Sequence, residues 1–388
     1  MKNTRKILHI SNTDIASDSR ILKELKVACE IPDTDVSAFG VPESGESGNA
    51  NLDTAAYRQE ALLTRSLSFL PRAMRYFFEM LEFTFRTVLF AKKLRPDILH
   101  CHDTFALPSG FIAKTFFGGR LIYDAHELES DKNGQNAILS TVTLWIEKAC
   151  WKRVDLLVSV SNSIIDWYEK ELGSKANALV LNSPEIADTP DKTYSSMFET
   201  GYLHQAFSIP ASNKVFVYLG ILGPGRGIEI ISKAFADLDI DAHVVFVGFG
   251  PLTSTIKDLS NQESRIHYHD AVPHDQVVPL VRNADFGLCL IENVSLSDYY
   301  CLPNKLFEYA FAGLPILASK FPEIERVVAE YSLGVCCDLD VESIRLGIQR
   351  MVDGDPSEQS KPLSELSWAA QASRLTAAYE NLLRDHAA

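Results

Sequence analysis

A single carboxylate interrupts an otherwise apolar helical stretch in LPNKLFEYAFAGLPILAS, Leu302 to Ser319. Pro303 and Asn304 suit a first helical turn, with Asn304 placed to cap it, and Gly313 with Pro315 suits the stop before the strand PILAS. Leu306, Phe307, Ala310 and Phe311 form the face expected to be buried. Glu308 lies one turn beyond Asn304 on the same side. A carboxylate there can accept hydrogen bonds from the two vicinal hydroxyls of a ribose. Lys305 and the unpaired N–H groups of the helix start would meet phosphate. A solvated surface acid is the commoner fate of a lone Glu, and the apolar company of Glu308 speaks against it.

Upstream, VFVYLGILGPGRGIEIISKAF reads as a strand, a glycine loop and a helix. Gly220, Gly223, Gly225 and Gly227 let a backbone approach an anion closely, and Arg226 adds a planar charge that grips phosphate in two places. A plain tight turn with an exposed arginine fits the same letters equally well. One strand later, VVFVGFGPL places Gly248 and Gly250 at another strand end.

The elements that must position these residues follow a repeated rhythm. Short apolar runs (KILHIS, DVSAFGV, DILHCHD, RLIYDAH, DLLVSVS, ALVLNS, then VFVYLG, AHVVFVG, RIHYHD, FGLCLIE, PILAS, LGVCCD) alternate with segments of helical period. Continuous rather than alternating apolar strands predict parallel sheets covered on both faces, so each half reads as a doubly wound α/β domain. The break falls at NSPEIADTPDKTYSS, residues 182–196, whose composition is that of a linker. Domains are expected at 1–184 and 193–364, with a long amphipathic helix at 365–388 returning onto the first. Ligands of open parallel sheets sit at the carboxyl ends of the strands, where these loops lie.

With 388 residues, 46% hydrophobic and 23% charged, the chain has the composition of a two-domain globular protein. A net charge of −14 argues against general binding to nucleic acid backbones. The run ILHI is too short for a signal peptide core, no stretch reaches the length of a membrane span, and seven scattered cysteines without CxxC spacing predict reduced cytoplasmic thiols.

The segments YLGILGPGRGIEIISKAF, VGFGP, LPNKLFEYAFAGLPILAS and FPEIERVV stand in the order and spacing seen in retaining glycosyltransferases of family 4. DILHCHDTFALPSG, LIYDAHELES and DLLVSVSNSI resemble that family's amino-terminal domain, so the resemblance covers almost the whole chain. It implies a GT-B fold, two Rossmann-like domains facing across a cleft, the first holding an acceptor and the second a nucleotide-sugar donor. It further implies that Arg226 neutralises the donor diphosphate and that Glu308, the second member of the family's glutamate pair, binds the ribose. Lys305 and Leu306 fall where helix-start backbone groups meet phosphate, Val272 where main chain reads the base, and His102 where a histidine points at the transferred sugar. Two positions depart from the pattern: Tyr300 stands where the first glutamate is expected, with Asp298 nearby at a different spacing, and Ile221 stands where many members carry a second arginine.

The function so implied is transfer of a sugar, from a UDP-sugar by default, to a glycan or lipid-linked glycan hydroxyl with retention of configuration. Polysaccharide, capsule or O-antigen synthesis on the cytoplasmic face of a membrane is its setting. No DxD pair follows a suitable strand, so no metal and no cofactor beyond the substrate are expected. A nucleotide-sugar epimerase of the same architecture, and a non-catalytic nucleotide-sugar-binding partner, are the alternatives.

Acceptor-side candidates are Asp18 and Arg20 after the first strand and His126 in YDAHELE; Asp18 also suits a helix cap. His100 is assigned to the core, on the strand face opposite His102. The stretch 65–95 mixes Arg65, Arg72, Arg75, Arg86, Lys92, Lys93 and Arg95 with Phe, Leu and Tyr. It fits both a domain helix packed on the sheet and a helix lying on an anionic membrane surface.

Overall fold

The structure is a computed structural model that describes residues 4–43, 48–52, 55–66, 69, 71–185, 198–236, 238–354 and 361–385. The chain divides into two compact units, Met1–Leu181 with Ala370–Ala388, and Asn182–Ala369. Most of the linker-like stretch at 182–196 lies outside the described residues.

The first unit contains β1 (Arg5–Ile10), β2 (Thr34–Gly40), β3 (Gly48–Leu52), β4 (Ala55–Gln59), β5 (Ile98–His102), β6 (Arg120–Ala125), β7 (Leu156–Ser159) and β8 (Ala176–Leu179). Among the described residues they form one sheet in the order β3-β4-β2-β1-β5-β6-β7-β8. Every pairing is parallel except β3 with β4, which is antiparallel. That edge hairpin was not expected, because GNANL and AAYRQ lack the apolar run that marks the other strands. All five residues of β5 are buried, His100 and His102 included. The carboxy-terminal helix Trp368–Asp385 places Gln371 where its Oε1 accepts from the Leu181 amide at 3.2 Å, and Tyr379 is wholly buried beside β1 and β5.

The second unit contains β9 (Lys214–Leu219), β10 (Ala242–Val247), β11 (Ile266–His269), β12 (Phe286–Cys289), β13 (Ile316–Ser319) and β14 (Gly334–Cys337). Among the described residues all pairings are parallel, in the order β11-β10-β9-β12-β13-β14. Chain progress reverses between β9 and β12, so the loops leaving these two strands part and open a crevice at their carboxyl ends. Every residue of β10 is buried, as a strand covered on both faces must be.

The helix Asn304–Ala312 is pinned across this crevice by Tyr309, whose hydroxyl accepts from the Leu219 amide at 2.8 Å and donates to the Leu288 carbonyl at 3.4 Å. Its ring lies on Gly287, where an added Cβ would meet it at 2.4 Å. A glycine in FGLC is therefore what lets this helix sit against the sheet.

Among the described residues no helix is long and apolar enough to cross a membrane. In the helix Arg72–Leu94, Phe83 and Ala91 are buried, whereas Phe77, Leu81, Phe85 and Leu89, each four residues apart, are 44–66% exposed. Arg86 is tied to Glu60 and Glu82, and Arg75 lies 3.4 Å from Glu79.

Candidate active site

At the carboxyl ends of the second sheet lies a cavity of about 400 Å³. Its walls come from Tyr218 and Leu219 at the end of β9, Gly220 and Ile221 after it, Gly248 and Phe249 after β10, Ala271 and Val272 after β11, and Ile291 after β12. The helix start closes it with Pro303, Asn304, Lys305 and Glu308, and Arg226 reaches in from the glycine loop.

Lys305 is 8% exposed, and its Nζ stands 3.8 Å from the centroid of the buried Tyr218 ring. None of its three N–H donors has a hydrogen-bond partner among the described residues. An ammonium held this way is only partly compensated by the ring face and is poised for an anion. Glu308, 6% exposed, lies on the same helix with Oε1 3.9 Å from Nδ1 of the exposed His274. Pro303 takes the capping position and makes no side-chain cap, so Asn304 is the first helical residue rather than the cap expected for it. Leu306 is wholly buried, so only its backbone can serve the helix start.

Arg226 is held by Asp298, its Nη1 donating to Oδ1 at 3.1 Å. Asp298 is 5% exposed and takes the Ser295 hydroxyl on Oδ2 at 2.8 Å, so the guanidinium is aimed by a fixed carboxylate. This gives Asp298 a role other than replacing the missing glutamate. Tyr300 is outside the cavity wall, its ring 5.4 Å from that of Tyr299.

The glycines act differently from expectation. Gly223, Gly225, Gly227 and Gly250 do not line the cavity, while Gly220 and Gly248 do. A Cβ on Gly250 would meet the Leu222 carbonyl at 2.4 Å, and one on Gly227 the Leu290 carbonyl at 2.8 Å, both with positive φ. Their need is to let neighbouring loops touch each other. The Gly227 amide donates to Glu292 Oε1 at 3.1 Å, so the helix start at Ile228 is already met by a protein carboxylate. The helix start at Asn304, on the cavity wall, has no side-chain cap. Tyr218 and Phe249 were missed in the sequence because nothing in their spacing marks them; Ile221 and Phe249 are 57% and 66% exposed at the rim.

Residues 46–182 match Glycosyltransferase Family 4, and residues 213–353 match Glycosyl transferases group 1. The chain belongs to glycosyltransferase family 4. A D-inositol 3-phosphate glycosyltransferase of Corynebacterium diphtheriae is 22% identical over 344 residues, covering 78% of this chain and 75% of the relative. One from Corynebacterium glutamicum is 23% identical over 334 residues, with the same coverage. Among solved structures, sucrose-phosphate synthase from Thermosynechococcus elongatus superposes with TM-score 0.76 at 16% identity, over 98% of this chain and 100% of that one. Anabaena HepE in complex with UDP and glucose gives 0.61 at 16% identity, over 96% and 94%. The fold is GT-B, with two Rossmann-like domains of parallel sheet.

In the first unit of this family 4 glycosyltransferase, Arg20, His102 and His126 gather in a polar cluster around the buried Asp124, and Asp18 stands outside it. His100 and His102 share a face, their rings stacked with centroids 4.5 Å apart. Placing them on opposite faces is corrected by strand geometry, since residues two apart point the same way. His102 is 0% exposed, with Nε2 3.0 Å from His9 Nδ1 and Nδ1 3.2 Å from His126 Nε2. Both nitrogens face inward, so the direct sugar contact expected of it is not available.

Arg20, expected to meet an acceptor, is 3% exposed, its guanidinium donating to Asp124 Oδ1 at 2.9 Å and the Val180 carbonyl at 3.0 Å, with Glu24 Oε1 3.0 Å from its Nε. Asp18 caps its helix, accepting from the Arg20 and Ile21 amides at 3.1 and 3.2 Å. His126 is the outermost histidine, 18% exposed, between Asp124 and Asp103.

Burial pushes the His9, His100 and His102 imidazoles below their usual range, His100 to about 4. Burial alone would do the same to His126, but Asp103 and Asp124 push it up to about 10. Burial would raise Asp124, and the Arg20 charge outweighs it and holds the carboxyl well below the usual range. Burial, then the Asp124 charge, raises Glu24 to about 8. His9, Glu24 and Tyr379 were not singled out in the sequence, because they join the cluster from separate elements with no common spacing.

Proposed function

We propose that the second unit binds the diphosphate and ribose of a nucleotide-sugar, UDP-linked by default, and that the first unit serves the acceptor. The observation that carries this reading is the buried Lys305 ammonium, unpartnered among the described residues, one turn before Glu308. Breaking the bond from the anomeric carbon to the diphosphate builds negative charge on the leaving oxygens. Arg226, Lys305 and the N–H groups of the Asn304 helix start are donors fixed in advance for that charge, so they stabilise the transition state more than the ground state. Glu308 accepts from the ribose hydroxyls. No divalent ion is needed to bridge the phosphates in this scheme. The departing phosphate oxygen takes the proton of the acceptor hydroxyl as that hydroxyl bonds to the anomeric carbon on the same face, giving retention. His102 acts only through His126 and Asp124, as a positioning group.

The acceptor is a glycan or lipid-linked glycan of polysaccharide, capsule or O-antigen synthesis, at the cytoplasmic face of a membrane. Likeness in fold to Anabaena HepE in complex with UDP and glucose supports the donor, and likeness to the lipopolysaccharide outer core galactosyltransferase WaaB supports the acceptor class. The exposed stripe Phe77, Leu81, Phe85 and Leu89 supports docking on lipid. Vesicle sedimentation checks that docking: a chain found wholly in the supernatant with anionic vesicles would remove it.

The test of the donor site is a thermal-shift panel of nucleoside mono- and diphosphates and nucleotide-sugars, on wild type and Glu308→Ala. Diphosphates should stabilise the wild type more than monophosphates, and Glu308→Ala should lose most of the gain from ribose nucleotides. Equal shifts for all ligands, or an unchanged variant, would sink the assignment.

A further inference from the structure

We propose that Phe249 is the platform on which the nucleobase of the donor stacks, its ring against one face of the base. This rests on the reading of the second unit's cavity as a nucleotide-sugar site, and adds to it a residue that sets affinity. Two aromatic side chains stand on the cavity wall. Tyr218 is wholly buried against Lys305, whereas Phe249 is 66% exposed. The strand register fixes where the exposed ring stands. β10 pairs with β11 so that Val247 is opposite His269, and the Gly248 amide donates to the His269 carbonyl at 3.2 Å. Phe249 and Ala271 each follow two residues later and both line the cavity, so Phe249 neighbours the exit of β11, where Val272 stands. On its other side β9 pairs with β10 so that Leu219 is opposite Val247, which sets Ile221, 57% exposed, beside Phe249. The lip of the cavity is thus an apolar pair.

Backbone bonds hold this platform still. The Phe249 carbonyl accepts from the Leu222 amide at 2.9 Å, and the Leu252 amide donates to the Leu222 carbonyl at 2.9 Å. The Gly250 amide donates to Thr253 Oγ1 at 2.8 Å. Gly248 and Gly250, with φ of 147° and 154°, lie so close to the backbone of Gly220 and Leu222 that no side chain fits at either position. A ring fixed in advance loses little freedom when a flat ligand settles on it. Its exposed face is apolar surface that a stacked base removes from water.

The order of groups around the wall says which part of the donor lies there. Arg226 and Lys305 are the two basic side chains of the wall and take the diphosphate. Glu308 takes the ribose, and the helix His274–Val281, which begins just after Val272, brings His274 Nδ1 to 3.9 Å from Glu308 Oε1. The base leaves the ribose on the side away from the phosphates, which puts it at the exit of β11, beside Phe249. Two cations are few for a diphosphate, so apolar contact with the base supplies a large share of the affinity. Every nucleobase offers a π face, so the ring favours nucleotides over base-free phosphates without choosing among bases. That choice falls to the main chain at Val272, which meets the edge of the base.

The experiment is calorimetric titration of the full chain with UDP, GDP and ADP, the tightest being carried forward, and with inorganic pyrophosphate as the base-free probe. Phe249→Ala should weaken the nucleotide about tenfold and leave pyrophosphate unchanged, and Phe249→Trp should restore wild-type affinity. Because the ring is exposed, both variants should melt within about 2 °C of wild type without ligand. Saturation-transfer NMR should find the base protons strongly saturated on wild type and weakly on Phe249→Ala. Equal nucleotide affinity for wild type and Phe249→Ala, or pyrophosphate weakened as much as the nucleotide, would overturn this inference and leave the donor site standing. A wild type that binds none of the three nucleotides would take both down.

Discussion

Lys305 Nζ stands 3.8 Å from the centroid of the Tyr218 ring, an ammonium laid on an aromatic face with both residues buried. The ring recovers only part of the hydration that the ion gave up. This position is unfavourable in the free protein and favourable once a phosphate arrives. Lys305→Met keeps the stem and removes the charge. Its nucleoside diphosphate affinity should fall about tenfold to a hundredfold, the loss of one charge-assisted hydrogen bond. Its melting temperature without ligand should be equal to or above that of wild type, since an incompletely compensated buried ion is gone. Calorimetric titration and a melt read both. Wild-type affinity would mean that the ammonium does not meet the ligand.

The Arg226–Asp298 pair calls for a different outcome. Asp298 holds the guanidinium in one direction by a 3.1 Å bond, so Arg226 is an aimed donor. Arg226→Ala should lower turnover about a hundredfold or more with the fold intact, as loss of a preorganised donor to a developing anion does. Asp298→Asn keeps the shape and weakens the aim; turnover should fall less, about tenfold, with donor KM moving little. Steady-state kinetics of the two variants decide it. An Asp298→Asn enzyme worse than Arg226→Ala would show that Asp298 itself meets the substrate.

The wound sheets were legible because buried parallel strands carry unbroken apolar runs such as AHVVFV, and the helix Asn304–Ala312 because Gly313 marks its end. Glu308 and Lys305 were legible as exceptions to an apolar pattern. The β3–β4 edge was not, since its polar letters carry no such run. The histidine cluster was not either: His9, Glu24, Asp124 and Tyr379 meet through the register of β1, β5 and β6, the helix Ser19–Glu30 and the return of the last helix. The glycine loop was legible as a loop, and Gly227 and Gly250 rest against neighbouring backbone. Density of glycine announces close approach and does not say whether to a ligand or to another strand end.

That distinction yields a contrast within one loop system. Gly248 has φ 147°, and an added Cβ would stand 1.9 Å from the Gly220 carbonyl. Gly223 has no positive φ, and a Cβ there would meet Ile221 at an ordinary 3.6 Å. Gly248→Ala should therefore cost about 2 kcal/mol or more, and Gly223→Ala should stay within about 0.5 kcal/mol of wild type. Urea unfolding followed by fluorescence measures both. Equal costs would show that the two strand-end loops do not rest on each other.

Glu147 gives the pH prediction. Its Oε1 accepts from the hydroxyls of Tyr168 at 2.6 Å, Tyr123 at 2.7 Å and Thr104 at 2.9 Å, and the side chain is wholly buried. Burial raises its pKa from the ordinary 4.5, and the three hydroxyl bonds pull the other way without cancelling it. A raised folded value means that the folded chain holds a proton which the unfolded chain has released. This stabilising contribution is complete below pH 4.5 and is lost as pH climbs to the folded value. Glu147→Gln keeps the shape and cannot ionise, so the difference in unfolding free energy between variant and wild type should shift in favour of the variant as pH rises from that point, then level off. Denaturant unfolding of both chains across that range tests it, and a difference that stays constant with pH would place the ordinary carboxylate value at Glu147.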